Sequence, residues 1–167
     1  NASSIRVLEP HSEVYRRLNT RAEELFISTK GLPTNWVNCQ IVYPDKGASE
    51  RYSFHYGMDV PAIQCSKERN VSTGKITSIK IDNPQAIKDK PLLIIDDLCD
   101  GGETFCGIAK AFNALNIPKE RLNIAVTHMV NPKGIKNLSE NFNHVWFTNS
   151  YEDWENLPEN VTMIKVI

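Results

Sequence analysis

The run Leu92-Leu93-Ile94-Ile95-Asp96-Asp97-Leu98-Cys99-Asp100-Gly101-Gly102-Glu103-Thr104-Phe105 restricts the possible folds more than any other stretch of the chain. Its four leading apolar residues show no polar alternation, so they read as a strand buried on both faces, the usual state of a central parallel strand. The adjacent carboxylates Asp96 and Asp97 then end that strand. Asp100, two glycines and Thr104 form a turn, and Phe105, Ile108, Ala109, Phe112 and Leu115 follow at the three-and-four spacing of an amphipathic helix. The order is strand, acidic pair, glycine-rich turn, helix.

Each part of that order has a chemical use. Glycines let successive backbone N–H groups point into one concavity, where an anion also meets the positive end of the helix dipole. The dipole supplies only about 0.3–1 kcal/mol at an exposed site, so N–H donors and the Thr104 hydroxyl must supply most of the grip. On a strand, Asp96 and Asp97 point to opposite faces and so have different jobs. Sugar hydroxyls suit such carboxylates, directly or through Mg2+. A pentose phosphate is the simplest ligand carrying both a phosphate and a diol. The plainer reading is a helix start with Asp100 as its cap.

The run resembles the phosphoribosyl diphosphate (PRPP) motif of the type I phosphoribosyltransferases and of the related PRPP synthetases, or ribose-phosphate diphosphokinases. Other segments are similar to the synthetases in particular, and they occur in the same order along nearly the whole chain. Ile5-Arg6-Val7-Leu8-Glu9-Pro10-His11-Ser12 resembles their strand ending in a metal-binding histidine, here His11. Ile41 to Arg51 contains Tyr43-Pro44-Asp45-Lys46-Gly47, similar to an S-P-D-x-G loop with a metal-associated aspartate at Asp45. Lys67-Glu68-Arg69 matches the Lys-x-Arg of a flexible catalytic loop, while Thr127-His128 and Thr148-Asn149-Ser150 fall where the synthetases carry similar groups at strand ends.

The resemblance implies a set of roles. Asp100, Gly101, Gly102, Glu103 and Thr104 hold the 5-phosphate, Asp96 and Asp97 meet the ribose hydroxyls, His11 and Asp45 position Mg2+, and Lys67 and Arg69 close over the transferring group. Taken alone, His11 reads as a cap or surface histidine, Asp45 as a turn residue, and Lys67 with Arg69 as a solvated charge pair. His128 reads equally as a site edge or a hydrogen-bonded structural histidine. Two departures stand out. Glu103 replaces a small or basic residue, so its carboxylate is expected to turn outward and leave only its N–H toward the ligand. Glu9-Pro10 precedes His11 where an Asp-Leu pair is common in the synthetases.

The resemblance covers only the boundary strand and second half of a two-part synthetase, whose first half carries most of the ATP contacts. Residues 3–167 are therefore expected to be one phosphoribosyltransferase-like domain, the C-terminal one of a two-domain enzyme, with Asn1-Ala2 read as a tag scar. The implied partners are ribose 5-phosphate, PRPP and ATP, with a homo-oligomer expected for the full-length form. Two alternatives remain: a phosphoribosyltransferase joining PRPP to a base, and a non-catalytic regulatory homologue.

Composition agrees with a single domain. A length of 167 residues fits one core, and a net charge of −1 gives no long-range pull toward nucleic acid or anionic membrane. No apolar stretch of about 18 residues or signal-like segment occurs, and Cys39, Cys65, Cys99 and Cys106 lack zinc-ribbon spacing. They read as buried thiols of a cytoplasmic protein, with Cys99 in the loop either reactive or inert.

Along the chain, strands are expected at 5–9, 39–43, 62–65, 76–81, 92–97, 123–130, 145–148 and 161–166. Helices are expected at 14–27, with Ser12 as its cap, and at 47–56, 104–115 and 133–141, with a loop at 67–75. This alternation implies an α/β, doubly wound, mostly parallel sheet flanked by helices. The candidate residues would gather at the carboxyl ends of its strands, where open parallel sheets bind ligands.

Overall fold

A computed structural model describes residues 5–12, 14, 22–27, 31–32, 34–53, 61–69, 72 and 76–166. The supposed tag scar at Asn1-Ala2, half of the expected 14–27 helix (15–21), the end of the 47–56 helix and most of 70–75 lie outside the described residues.

The main sheet has seven strands in the order β5-β4-β3-β6-β7-β8-β9. Here β3 is Gln40–Tyr43, β4 Ile63–Arg69, β5 Ile76–Ile81, β6 Leu92–Cys99, β7 Leu122–Met129, β8 His144–Thr148 and β9 Val161–Ile164. All neighbours are parallel except the edge pair β4 and β5. Helices α1 (Lys46–Tyr52), α2 (Glu103–Ala114) and α3 (Pro132–Asn141) complete the main layers. A separate two-stranded parallel sheet pairs β1 (Ile5–Leu8) with β2 (Ala22–Leu25).

Side-chain alternation along the strands divides the core between two faces. Val42, Ile94, Ile124 and Val126 pack with Phe105, Ile108 and Phe112 of α2 and with Ile135 and Leu138 of α3. Ile41, Tyr43, Leu93, Ile95 and Ala125 face the other way, onto Ala48 and Tyr52 of α1 and onto Phe26, Ile27 and Leu32. Both faces are covered, which is why Leu92 to Ile95 carries no polar alternation. The architecture is the expected doubly wound α/β sheet.

The chain leaves β3 toward β4 and β5, then crosses back to lay β6 against the other side of β3. The strand order therefore reverses between β3 and β6, and the crevice outside their carboxyl ends is the topological switch point. Asp45 follows β3, and the loop from Asp100 to Thr104 follows β6.

Several elements differ from the sequence expectations. Ala22–Leu25, expected in a helix from the apolar spacing of Val14, Leu18, Leu25 and Phe26, is a strand in register with Ile5–Leu8; tertiary pairing outweighs the local pattern there. The Ser12 hydroxyl does accept the Val14 N–H at 3.2 Å, as an N-cap would. Lys67–Arg69 is not loop but the end of β4, because Ser66, Lys67 and Glu68 pair with Lys80, Ile79 and Ser78 across the antiparallel edge. β6 continues to Cys99, so Asp96 and Asp97 lie within the strand rather than ending it. The N-cap of α2 is Gly102, not Asp100.

Candidate functional site

Strand parity sends the two acidic residues of β6 to different faces. Asp97 shares the α1 face with Ile95, and there its Oδ2 meets Arg51 Nη1 of α1 at 2.8 Å and His11 Nδ1 at 2.5 Å. Burial pushes the Asp97 carboxyl up, but the His11 hydrogen bond and the Arg51 charge outweigh it and hold the group below its ordinary value. Among the described residues no cation is paired with Asp96. Burial, followed by the Asp97 charge, raises its proton affinity, while one oxygen accepts the Asp97 N–H at 3.0 Å. The pair is thus one fixed carboxylate beside one reluctant to ionise.

At the end of β3, Asp45 caps α1 by accepting the Ala48 N–H at 3.0 Å. Its other oxygen accepts from Lys67 Nζ at 2.7 Å. Burial works against the Asp45 charge, but Lys67 and the helix N–H groups prevail and lower its pKa. The structure therefore brings Asp45 and Lys67 together across the β3–β4 pair. Arg69 lies farther along β4.

The loop after β6 is braced from behind by α3. Asn131 Nδ2 donates to Asp100 Oδ1 at 2.9 Å, and Asn137 Nδ2 donates to the Gly101 carbonyl at 2.7 Å. Gly134 permits this contact, since a Cβ there would lie 2.2 Å from the Asp100 carbonyl oxygen. Gly102 has φ +79, a left-handed conformation that favours glycine. Asp100 is exposed, Thr104 is half-buried, and Gly101 and Gly102 are buried. Glu103 is exposed, yet its carboxylate stays beside the loop rather than pointing away from it. Its carboxylate curls over Gly101, where both oxygens lie within 2.7 Å of an added Cβ, and it meets Lys133 Nζ at 2.5 Å. A free carboxylate at a helix N-terminus seeks the same donors as a phosphate would.

His11 and Asp45 do not form a metal centre by themselves. His11 Nδ1 is engaged by Asp97 and both Asp45 oxygens have partners, so the pair offers few open donors to a hard ion that prefers oxygen. Among the described residues no three His, Cys, Asp or Glu side chains gather to hold a metal. Burial pushes the Cys99 thiol up to about 12, which favours its neutral form.

Some neighbours of the site carry no sequence signal of their own. Arg51 is recognisable as the partner of Asp97 only once α1 is packed. Glu9 is 1% exposed, with φ 42, and accepts from Ile27 N–H at 2.7 Å, Tyr52 Oη at 2.7 Å and the Thr127 hydroxyl. This carboxylate ties the small sheet to α1 and β7, and burial raises its pKa despite the three donors. The strand-end threonines are similarly spent on structure, since buried Thr148 donates to the Thr127 carbonyl at 2.7 Å. His128 pairs with Ser150 at 2.7 Å.

With the switch point flanked by Asp45, Lys67, Asp96, Asp97 and a glycine loop, comparison with solved structures is informative. No family model matches the sequence, and no curated protein matches it. The chain is similar to the phosphoribosylpyrophosphate synthetase of Mycobacterium smegmatis, with a TM-score of 0.73 and 18% identity over 99% of this chain and 55% of that one. The fold is that of the type I phosphoribosyltransferases. A second likeness is to the APRTase of Giardia lamblia complexed with 9-deazaadenine, with a TM-score of 0.51 and 12% identity over 65% of this chain and 68% of that one. At these identities the likeness is one of fold, and the chain spans about half the length of the synthetase it matches. Among the described residues no helix is long and apolar enough to cross a membrane.

Proposed function

We propose that this chain is the ribose 5-phosphate- and PRPP-binding domain of a PRPP synthetase, a cytoplasmic enzyme that transfers diphosphate from ATP to ribose 5-phosphate in nucleotide biosynthesis. The observation that carries the reading is the switch point, where a glycine loop and an acidic pair on one strand face an ion-paired lysine on the other side. The loop N–H groups and Thr104 take the 5-phosphate. Asp96 takes the ribose hydroxyls, while Asp97, fixed by Arg51 and His11, sets the position of Asp96 and of the sugar. Lys67 leaves Asp45 to meet the transferring diphosphate, with Arg69, and neutralises its developing charge. Mg2+ belongs to this reading as an ion brought by the diphosphate oxygens, with His11 and Asp45 reached through water.

The remaining ATP contacts come from a half that this chain does not supply, in an assembly with other copies. The 167-residue chain should therefore bind ribose 5-phosphate and yield little PRPP. Calorimetry with ribose 5-phosphate, paired with assays of AMP release from ATP and of pyrophosphate release from PRPP plus a panel of bases, tests this. Binding with weak, base-independent turnover is expected. Failure to bind ribose 5-phosphate overturns the reading, and base-dependent pyrophosphate replaces it with a phosphoribosyltransferase, which the likeness to the Giardia enzyme makes the second choice. Binding with no AMP release even after the missing half is added selects the regulatory homologue.

A further inference from the structure

We propose that Lys133, at the start of α3, is a ligand for the sugar's 5-phosphate, and that the Glu103 carboxylate holds its place until the phosphate arrives. This rests on the ribose 5-phosphate reading above and adds a specificity pair to the same loop. The loop and its strand carry Asp96, Asp97, Asp100 and Glu103 within eight residues, a poor setting for a dianion unless a cation attends it. Lys133 is the cation paired there, with its Nζ 2.5 Å from Glu103 Oε1. That carboxylate lies over Gly101 and accepts its own backbone N–H, so it already occupies a loop donor and the lysine together.

Glu103 also has somewhere to go. A cleft of about 440 Å³ opens beside it between β5 and α2, walled by Thr77, Ser78, Ile79, Gly107 and Lys110. A phosphate entering the loop displaces the carboxylate into this cleft, takes the vacated N–H, and gains Lys133. Each oxyanion needs the same two donors, so the two exclude each other. The acidic side chain thereby raises the threshold for weaker anions, while a phosphate that brings a ribose to Asp96 overcomes it.

Calorimetry of the 167-residue chain with ribose 5-phosphate, and with inorganic phosphate as a probe of the loop alone, tests the idea on a set of variants. Glu103→Gln should tighten ribose 5-phosphate about fivefold, and Lys133→Ala should weaken it about fivefold, the range of a partly exposed charge-assisted contact. Lys133→Ala should weaken binding by a similar factor in the Glu103→Gln background, and Lys133→Arg should restore much of it. If the double variant binds as tightly as Glu103→Gln alone, Lys133 serves only to neutralise Glu103 and the proposal falls. If the parent binds ribose 5-phosphate and Thr104→Ala weakens it while Lys133→Ala does not, the pocket stands and the role of Lys133 is refuted. If the parent does not bind at all, both readings fall. Unchanged thermal melts of the exposed-residue variants separate binding from folding.

Discussion

Two carboxyls with opposite proton affinities sit side by side on β6, and the difference comes from their partners. Asp97 has Arg51 and His11, whereas Asp96 has burial and the charge of Asp97. A carboxyl whose folded pKa lies above its unfolded value contributes stability that is present below the ordinary carboxylate range and lost as pH rises through the raised value. Asp97 and Asp45, both lowered, contribute in the opposite sense: theirs is present above that range and lost as pH falls. Asp96→Asn should therefore stabilise the chain on the order of 1 kcal/mol at about pH 8, with the gain vanishing near about pH 4. Thermal melts across that window check it, and an equal gain at both ends would contradict the burial cause. The same variant should weaken ribose 5-phosphate binding, because a site residue is kept at some cost to stability. At this scale the sequence shows the acidic pair but not the asymmetry, since Arg51 reaches Asp97 only through the packing of α1.

The glycine loop and α3 form one mechanical unit although they are far apart in the chain. Gly134 lies within α3, where alanine would ordinarily add about 0.5–1 kcal/mol of helix stability. Here the added methyl would collide with the Asp100 carbonyl, with Cys99 Sγ and Met129 Sδ each at 3.0 Å. Backbone cannot yield as a flexible side chain does, so the sign reverses. Gly134→Ala should cost about 2 kcal/mol or more in urea unfolding and should loosen phosphate binding as the loop shifts. A neutral or stabilising outcome would show that α3 can slide on the sheet. No sequence pattern signals this contact, because the period-3.6 pattern of α3 marks its buried face and not what the bare face of a glycine touches.

Across the whole molecule, protection should follow the sheet order. β6 and β7 have strand neighbours on both sides and helices or buried chain on both faces, whereas among the described residues β5 is an edge strand paired to β4 alone. Amide hydrogen exchange should be slowest around Ile94 and Ile124 and fastest in β5; equal rates would mean that the sheet opens only globally. The same hierarchy explains what could be read in advance. Leu92 to Ile95 and Ile124 to Val126 announce themselves because a strand buried on both faces needs no alternation. Ala22–Leu25 reads as helix from sequence because its strand state depends on pairing with Ile5–Leu8, and the strand expected at 62–65 stops short of Lys67 because charged residues on an edge look like loop. The site was legible where local chemistry makes it, in the Asp-Asp and Gly-Gly run. It was hidden where contacts span the chain, as with Lys133 and Glu103, 30 residues apart.

The antiparallel margin gives Lys67 a freedom that the acidic pair lacks. Its strand pairs with β3 on one side and with β5, the last strand of the described sheet, on the other. In the proposed reaction the ammonium therefore leaves Asp45 by rotation of its own flexible side chain, while β4 and β5 stay packed with Phe105, Ile108 and Phe112 of α2. The moving part hangs on the rim, and the fixed part is anchored at the centre.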